Sequence, residues 1–243
     1  MSVAIAIICL GLGGLLKGAT GAGSPLLAIP ALAMLYDVKI AVAIMIVPSL
    51  VTNLWQSWQF RRQLLPTRFV LYFSLAGALG ALVGSWFLAF LPRASLSLIV
   101  ALAVLGFLFF RLARPNWRLS YDRGLPLSAP LGFLGGWLQG TSGISAPVSI
   151  SFLNSMNLER HTFIATISVF FVAMSIVQIP ALGALEIMTW ERLAISAAAT
   201  IPILIGMPLG SLLGRHFSKQ TFDRVILAVL GCLAVKLIFD ALS

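Results

Sequence analysis

Residues 13–30 read GGLLKGATGAGSPLLAIP, a lysine and a run of glycines, hydroxyl residues and proline set between two apolar segments. Residues 135–152 read GGWLQGTSGISAPVSISF, a second version of the same pattern. A shift of 122 residues superposes Gly13 on Gly135, Gly14 on Gly136, Leu16 on Leu138, Gly18 on Gly140, Gly21 on Gly143 and Pro25 on Pro147. The same shift pairs Gln56 with Gln178, and a slightly larger one pairs GALVGS (80–85) with GMPLGS (206–211). The chain is an internal duplication. Charge marks one copy only, because Lys17 stands where the other copy has Gln139.

Composition names the solvent. Of 243 residues, 60% are hydrophobic and 9% charged, against about 25% charged in a soluble domain. Water cannot cover such a surface, so this is a polytopic membrane protein whose main surroundings are the lipid bilayer. The net charge of +9 lies largely in short connections between apolar runs, which is the positive-inside pattern rather than a nucleic-acid footprint. Cys9 and Cys232 lie in apolar segments with no metal or redox spacing, and read as packing residues. The start, MSVAIAIICL, lacks the basic region of a signal peptide and reads as the first membrane segment.

Crossing the hydrocarbon as a helix takes about 20 apolar residues. Long candidates cover 38–60, 68–91, 94–112, 160–182, 190–213 and 221–241, and four shorter ones cover 2–17, 24–36, 127–139 and 146–157. The expected fold is an all-α membrane protein in which each half has two short interrupted helices, re-entrant or half-length, followed by three long transmembrane helices. The first half spans 1–115, a basic cytoplasmic connection spans 116–126, and the second half spans 127–243. Arg61, Arg62 and Arg68 crowd one connection, and Arg111, Arg114, Arg118 and Arg123 another. In the second half the basic residues move to the equivalent of the Arg93 turn, with Arg215, Lys219 and Arg224, while 183–191 has no basic excess. Swapped basic loops mean oppositely inserted halves, an inverted-topology repeat of the kind secondary transporters use. Parity then places both termini outside.

Broken backbone inside a bilayer is tolerated only where protein buries it or a watery cavity meets it, and matched interruptions in two halves point to a binding site. Gly18, Gly21, Gly23, Gly140 and Gly143 permit the turn. Pro25 and Pro147 suit the first turn of a following half-helix. Ser24 is placed to cap the first such helix, and Ser145 or Ser142 the second. A half-helix N-terminus presents free N–H groups and partial positive charge to an anion, and Thr20, Ser24, Thr141, Ser142 and Ser145 add hydroxyl donors. Against this stands simple close packing of helices through small residues. Packing is the favoured reading of Gly13, Gly14, Gly135 and Gly136, and the assigned one for Gly80, Gly84, Gly206 and Gly210.

A lysine at a membrane-helix centre costs roughly 2.5–3.5 kcal/mol on insertion scales, so Lys17 is either a site residue or a side chain reaching for the interface. Asn53 and Gln56 share a helix face at i, i+3. With Gln178, the repeat mate of Gln56, they line a central cavity or bond helices together; both readings stand. Trp55 and Trp58 fit an interface belt. No Asp or Glu lies inside a long apolar run, which disfavours metal-ion transport. No nucleotide loop, metal cluster or catalytic set is present, so the sequence predicts no enzyme and no cofactor. His161 and His216 do not read as ligands.

The two motifs, GLGGLLKGATGAGSPLLAIP and GFLGGWLQGTSGISAPVSISF, and the basic QFRRQ after the first long segment resemble the sulfite exporter TauE/SafE family of bacterial anion transporters. The likeness covers essentially the whole chain, and departs from the family's fuller glycine cluster at Gly21, Ala22, Gly23 and Ser24. It implies a location in the bacterial cytoplasmic (inner) membrane and movement of sulfite, sulfoacetate, isethionate or other small organic anions, with proton coupling. Combined with the residues, the expectation is a secondary transporter for a small anionic substrate, an exporter by resemblance. Its site would be Lys17, Gly18, Thr20, Gly21, Gly23, Ser24, Asn53, Gln56, Gln139, Gly140, Thr141, Ser142, Gly143, Ser145 and Gln178. The alternatives are an anion channel, told by single-channel currents, and an assembly subunit, told by absence of flux. Substrate, direction and any homo-oligomer are left open.

Overall fold

A computed structural model describes residues 2–113, 118–216, 231–236 and 238–239. Among these residues every regular element is helical: α1 (Ser2–Thr20), α2 (Ser24–Leu35), α3 (Val38–Gln59), a 3-10 turn (Arg61–Gln63), α4 (Thr67–Phe90), α5 (Arg93–Ala113), α6 (Tyr121–Ser142), α7 (Ser149–Ser155), α8 (Arg160–Ala184) and α9 (Trp190–His216). Residues 231–236 are also helical. The segment expected over 221–241 lies mostly outside the described residues, as do Arg114, Lys219 and Arg224; of the side chains of Arg111 and Arg215 nothing is described. Six described helices are long and apolar enough to cross a membrane: Val3–Thr20, Val38–Gln59, Thr67–Phe90, Arg93–Phe110, Arg160–Ala184 and Trp190–Leu213.

One expectation is corrected. The first segment of each half is not short: α1 has 19 residues and α6 has 22. Both helices run on through the polar part of their motif because its hydroxyl groups bond backwards to the preceding turn. Thr20 Oγ1 donates to the Leu16 carbonyl (2.8 Å), Thr141 Oγ1 to Trp137 (2.8 Å) and Ser142 Oγ to Leu138 (2.8 Å). Such i−4 bonds let a hydroxyl residue stay helical. At its other end α6 starts at Tyr121, within a stretch too polar to read as apolar helix. The truly short elements are α2, with 12 residues, and α7, with seven.

Each long first helix then stops at a glycine that has crossed into left-handed backbone. Gly21 (φ 83°) donates its N–H to the Lys17 carbonyl at 2.7 Å, and Gly143 (φ 73°) to the Gln139 carbonyl at 2.8 Å. This is the glycine C-cap that closes a helix end, and a Cβ would strain it. The chain then folds back, so that Gly13 of α1 lies against Ser24 and Ala28 of α2, and Gly135 of α6 against Ser149 of α7.

The two halves interleave. Helix α1 packs on α9, and α6 packs on α4. A methyl at Gly14 would meet the backbone of Ile203, at Gly18 that of Met207, at Gly206 that of Gly11 and at Gly210 that of Leu15. In the other pair, Gly136 meets Gly77, Gly140 meets Ala81, Gly80 meets Phe133 and Gly84 meets Trp137. These four contacts map onto the first four when α1 is shifted by 122 residues and α9 by 126, the offsets of the sequence motifs. Small residues here let backbones touch. The packing reading of Gly14, Gly136, Gly80, Gly84, Gly206 and Gly210 is therefore what the structure shows.

Between these pairs lie α3 and α8. Phe60, at the C-cap of α3, stacks on His161 at the start of α8 (centroids 4.9 Å). Further back along α3, Gln56 Oε1 accepts from Ser168 Oγ at 3.4 Å. Moving backward on one helix moves forward on the other, so α3 and α8 run antiparallel. Beside them an aromatic cluster of Phe69, Phe73, Phe152 and Phe170 ties α4, α7 and α8 together, with Phe73 and Phe170 stacked at 4.0 Å.

Candidate functional site

The interruptions seat themselves on the opposite half. A methyl at Gly21 would overlap Ile164 of α8, and one at Gly143 would overlap Ile29 of α2 and press on Val42 of α3. Val42 and Ile164 are themselves related by the 122-residue shift. Each break is thus wedged against the same position of the other half's antiparallel helix.

Lys17 sits in the last turn of α1 and is 1% exposed. Its Nζ donates to Asn53 Oδ1 at 2.7 Å. Asn53, 2% exposed, is oriented by its own amide, whose Nδ2 donates to the Ser49 carbonyl at 2.7 Å and to Ser49 Oγ at 3.3 Å. The amide oxygen is therefore turned toward the ammonium. An ammonium carries three donors, and this bond is the one it makes among the described residues. The ion pair found there, Arg93 with Asp37 at 3.1 Å, lies at helix ends. Lys17 is a buried lysine held by a neutral acceptor.

The other expected polar residues are also internal. Gln56 is 5% exposed, Gln139 5% and Gln178 fully buried. Gln178 Nε2 reaches the Gly140 carbonyl at 3.4 Å. The Oε1 atoms of Gln139 and Gln178 are buried without a hydrogen-bond partner among the described residues. Trp55 and Trp58, by contrast, are 67% and 69% exposed, and Arg61 lies over the Trp58 ring at 4.3 Å. They face the surroundings, away from the buried amides.

Most of the expected hydroxyl shell is already bonded within the chain. Thr20, Thr141 and Ser142 donate to carbonyls of their own helices, Thr20 also lies against the Ala22 carbonyl, and Ser142 Oγ accepts from Ile144 N at 3.3 Å. Ser145 is bonded by Ser149, through both its carbonyl (2.9 Å) and its hydroxyl (2.8 Å). The N–H groups of Gly21 and Gly143 serve as helix caps, as described. Gly18 and Gly140 lie in the helix contacts with α9 and α4.

The capping expectations change as well. Gly23 (φ 103°), not Ser24, is the N-cap of α2, with no side-chain cap bond, and Ser24 becomes the first helical residue. A left-handed backbone at Gly23 turns the chain so sharply that no side chain is needed to start the helix. Pro25 does occupy the first turn of α2. Pro147 instead lies in the turn before α7, whose N-cap is Val148 with no side-chain bond. The hydroxyls of Ser145 and Ser142 therefore do not cap it.

Three contributors were not anticipated. Ser49 orients Asn53 from one turn earlier, Ser168 bonds Gln56 across the α3–α8 seam, and Arg160 Nη2 donates to the Ala19 carbonyl at 3.1 Å near the end of α1. The i, i+4 spacing of Ser49 and Asn53 was visible in sequence; the cross-helix partners had no local signal.

Fold and site together define a polytopic helical membrane protein with a buried lysine and buried amides. The model of the sulfite exporter TauE/SafE family matches residues 5–237, nearly the whole chain, and the protein belongs to that family of membrane transporters for sulfur anions such as sulfite. No curated protein and no solved structure gives a significant match.

Proposed function

We propose that this protein is a secondary transporter that exports small sulfur oxyanions or organosulfonates, such as sulfite, sulfoacetate or isethionate, across the bacterial cytoplasmic membrane. Two inverted halves rock about the α3–α8 seam, with both termini outside and coupling to a proton gradient. The observation that carries the anion is Lys17. A cation buried to this degree is expensive, and the neutral amide of Asn53 leaves its charge uncompensated. A small anion supplies the missing countercharge. Matched glycine contacts and antiparallel α3 and α8 support the inverted repeat, since repeat mates that run in opposite directions are what inversion requires.

The test is flux in proteoliposomes with sulfite, sulfoacetate, isethionate, lactate and phosphate, with and without a pH gradient. Saturable flux of the sulfur anions is expected, reduced at least a hundredfold by Lys17→Met and partly kept by Lys17→Arg. Equal flux in wild type and Lys17→Met would overturn the assignment, and single-channel currents would replace the carrier by a pore.

A further inference from the structure

Among the described residues Lys17 is the one ionisable side chain that is buried, and no carboxylate faces it from the elements packed around it. Helix α2 carries no titratable residue, and on α1 Cys9 lies two turns back and half-buried. On α3, Asp37 and Lys39 stand at the far end, while Arg61 and Arg62 follow the near one. On α9, Glu191 and Arg192 stand at the far end. Arg215 and His216 close its near end, well beyond Met207, which lies against Gly18. At the start of α8, Glu159 is exposed and followed by Arg160 and His161. The charged group that touches this end of α1 is itself a cation, since Arg160 donates to the Ala19 carbonyl at 3.1 Å.

The helix end offers an ammonium little more. A helix C-terminus attracts cations through its free carbonyls, but here Gly21 N–H already serves the Lys17 carbonyl and Arg160 that of Ala19. What Lys17 does have is Asn53 Oδ1 at 2.7 Å. An amide oxygen accepts from an ammonium or from a neutral amine alike, so this bond survives loss of a proton without rearrangement. An ammonium taken out of water with no countercharge favours giving its proton up.

An alternating-access cycle makes two crossings, one loaded and one empty. Loaded, the ammonium and the anion neutralise each other. Empty, a charged Lys17 would have to cross unpaired.

We propose that Lys17 is the residue that couples transport to protons, taking up a proton together with the anion and releasing it when the anion leaves. Loaded, Nζ is –NH3+ beside the anion; empty, it is –NH2, still donating one N–H to Asn53. The proton comes from water on the entry side and returns to water on the exit side. Each turnover therefore moves one anion and one proton in the same direction, and a monoanion crosses without net charge. Its export runs down its own concentration gradient, untouched by the membrane potential. This deepens the transporter reading and rests on it.

The probe is isethionate, a sulfonate that stays ionised at neutral pH, so that any proton moved with it is the protein's. Proteoliposomes receive either a pH gradient at zero potential or a potential, set by potassium and valinomycin, at equal pH. Wild type should accumulate isethionate about tenfold for each pH unit of outside acidity, the ratio that one linked proton sustains. An inside-positive potential alone should accumulate none. Lys17→Arg keeps the cation but not a removable proton. It should retain part of the exchange of isethionate between loaded vesicles and medium, while its pH-driven accumulation falls to about one. If the variant is inactive, the wild-type ratios decide alone. If sulfite moves and isethionate does not, wild type and Lys17→Arg are compared with sulfite, whose own proton is common to both.

Accumulation driven by potential and not by pH, exchange without net uptake in wild type, or pH-driven accumulation undiminished in Lys17→Arg each overturns the inference and leaves the anion transporter standing. Movement of no anion in any of these modes overturns both.

Discussion

Ser196 on α9 donates its hydroxyl to the carbonyl of Ile44 on α3, 2.8 Å away. That carbonyl is the one Pro48 leaves unserved, because proline lacks the N–H that would reach back four residues. Ser196 Oγ also accepts from Val47 N at 3.2 Å, and the serine is fully buried. A helix of one half thus completes the broken ladder of a helix in the other. Prolines in membrane helices persist where neighbours repair the backbone in this way.

Ser196→Ala should lower stability by about 1–3 kcal/mol, the penalty for an unsatisfied buried carbonyl. In a Pro48→Ala background the backbone N–H of residue 48 returns to the Ile44 carbonyl, and the serine matters less. The coupling is measurable as a double-mutant cycle on thermal unfolding in detergent. Equal effects of Ser196→Ala in both backgrounds would refute the repair.

The Lys17–Asn53 bond makes a sharper prediction, because the partner is an amide where a carboxylate of equal shape would fit. Asn53→Asp places a negative charge 2.7 Å from the ammonium and supplies inside the protein what the substrate supplies in transport. The anion must then displace an internal ion pair. Sulfite flux should show an apparent KM at least tenfold higher, with a melting temperature at or above that of wild type. Unchanged KM would mean that Lys17 does not face the anion.

Glycine packing separates positions that look alike in sequence. At Gly18 and Gly140 an added methyl would overlap the backbone carbonyls of Met207 and Ala81, which cannot swing aside like a side-chain tip. Gly18→Ala and Gly140→Ala should each destabilise by about 1–3 kcal/mol, the range for overpacking a tight contact. Gly183, inside α8, has nothing within 4 Å of the added atom. Gly183→Ala should be neutral, or stabilising by up to about 1 kcal/mol through helix propensity. Melting temperatures and the yield of monodisperse protein check all three.

How far the sequence could be read differs along the chain, for physical reasons. Hydropathy placed α2, α3, α4, α5, α8 and α9 to within a few residues, because a bilayer demands long unbroken apolar runs. It failed at the ends of α1 and α6, where Thr20, Thr141 and Ser142 look like turn residues but bond back into their own helices. The repeat was legible because both copies keep their glycines, and these now stand at matching backbone contacts. The partners of Lys17 and Gln56 were not, since Asn53 and Ser168 meet them across helices from 36 and 112 residues away. Local pattern carries no information about such pairs.

Topology gives the last prediction. Basic residues at 61, 62 and 68 mark the C-terminal end of α3 as cytoplasmic by the positive-inside rule. The Phe60–His161 stack brings the start of α8 to that same face. Helix α8 must then leave the cytoplasm where its repeat mate α3 enters it. Residues 94 and 189, after α4 and after α8, should share the outer face, although one follows two crossings from its half's break and the other only one. With Cys9 and Cys232 replaced by serine, single cysteines at Gln63 and Glu159 should react with an impermeant maleimide only in inverted vesicles. Cysteines at the exposed positions Ala94 and Thr189 should react only in intact cells. Labelling of Gln63→Cys and Glu159→Cys from opposite sides would mean that α3 and α8 cross in the same sense, and the inverted repeat would have to be abandoned.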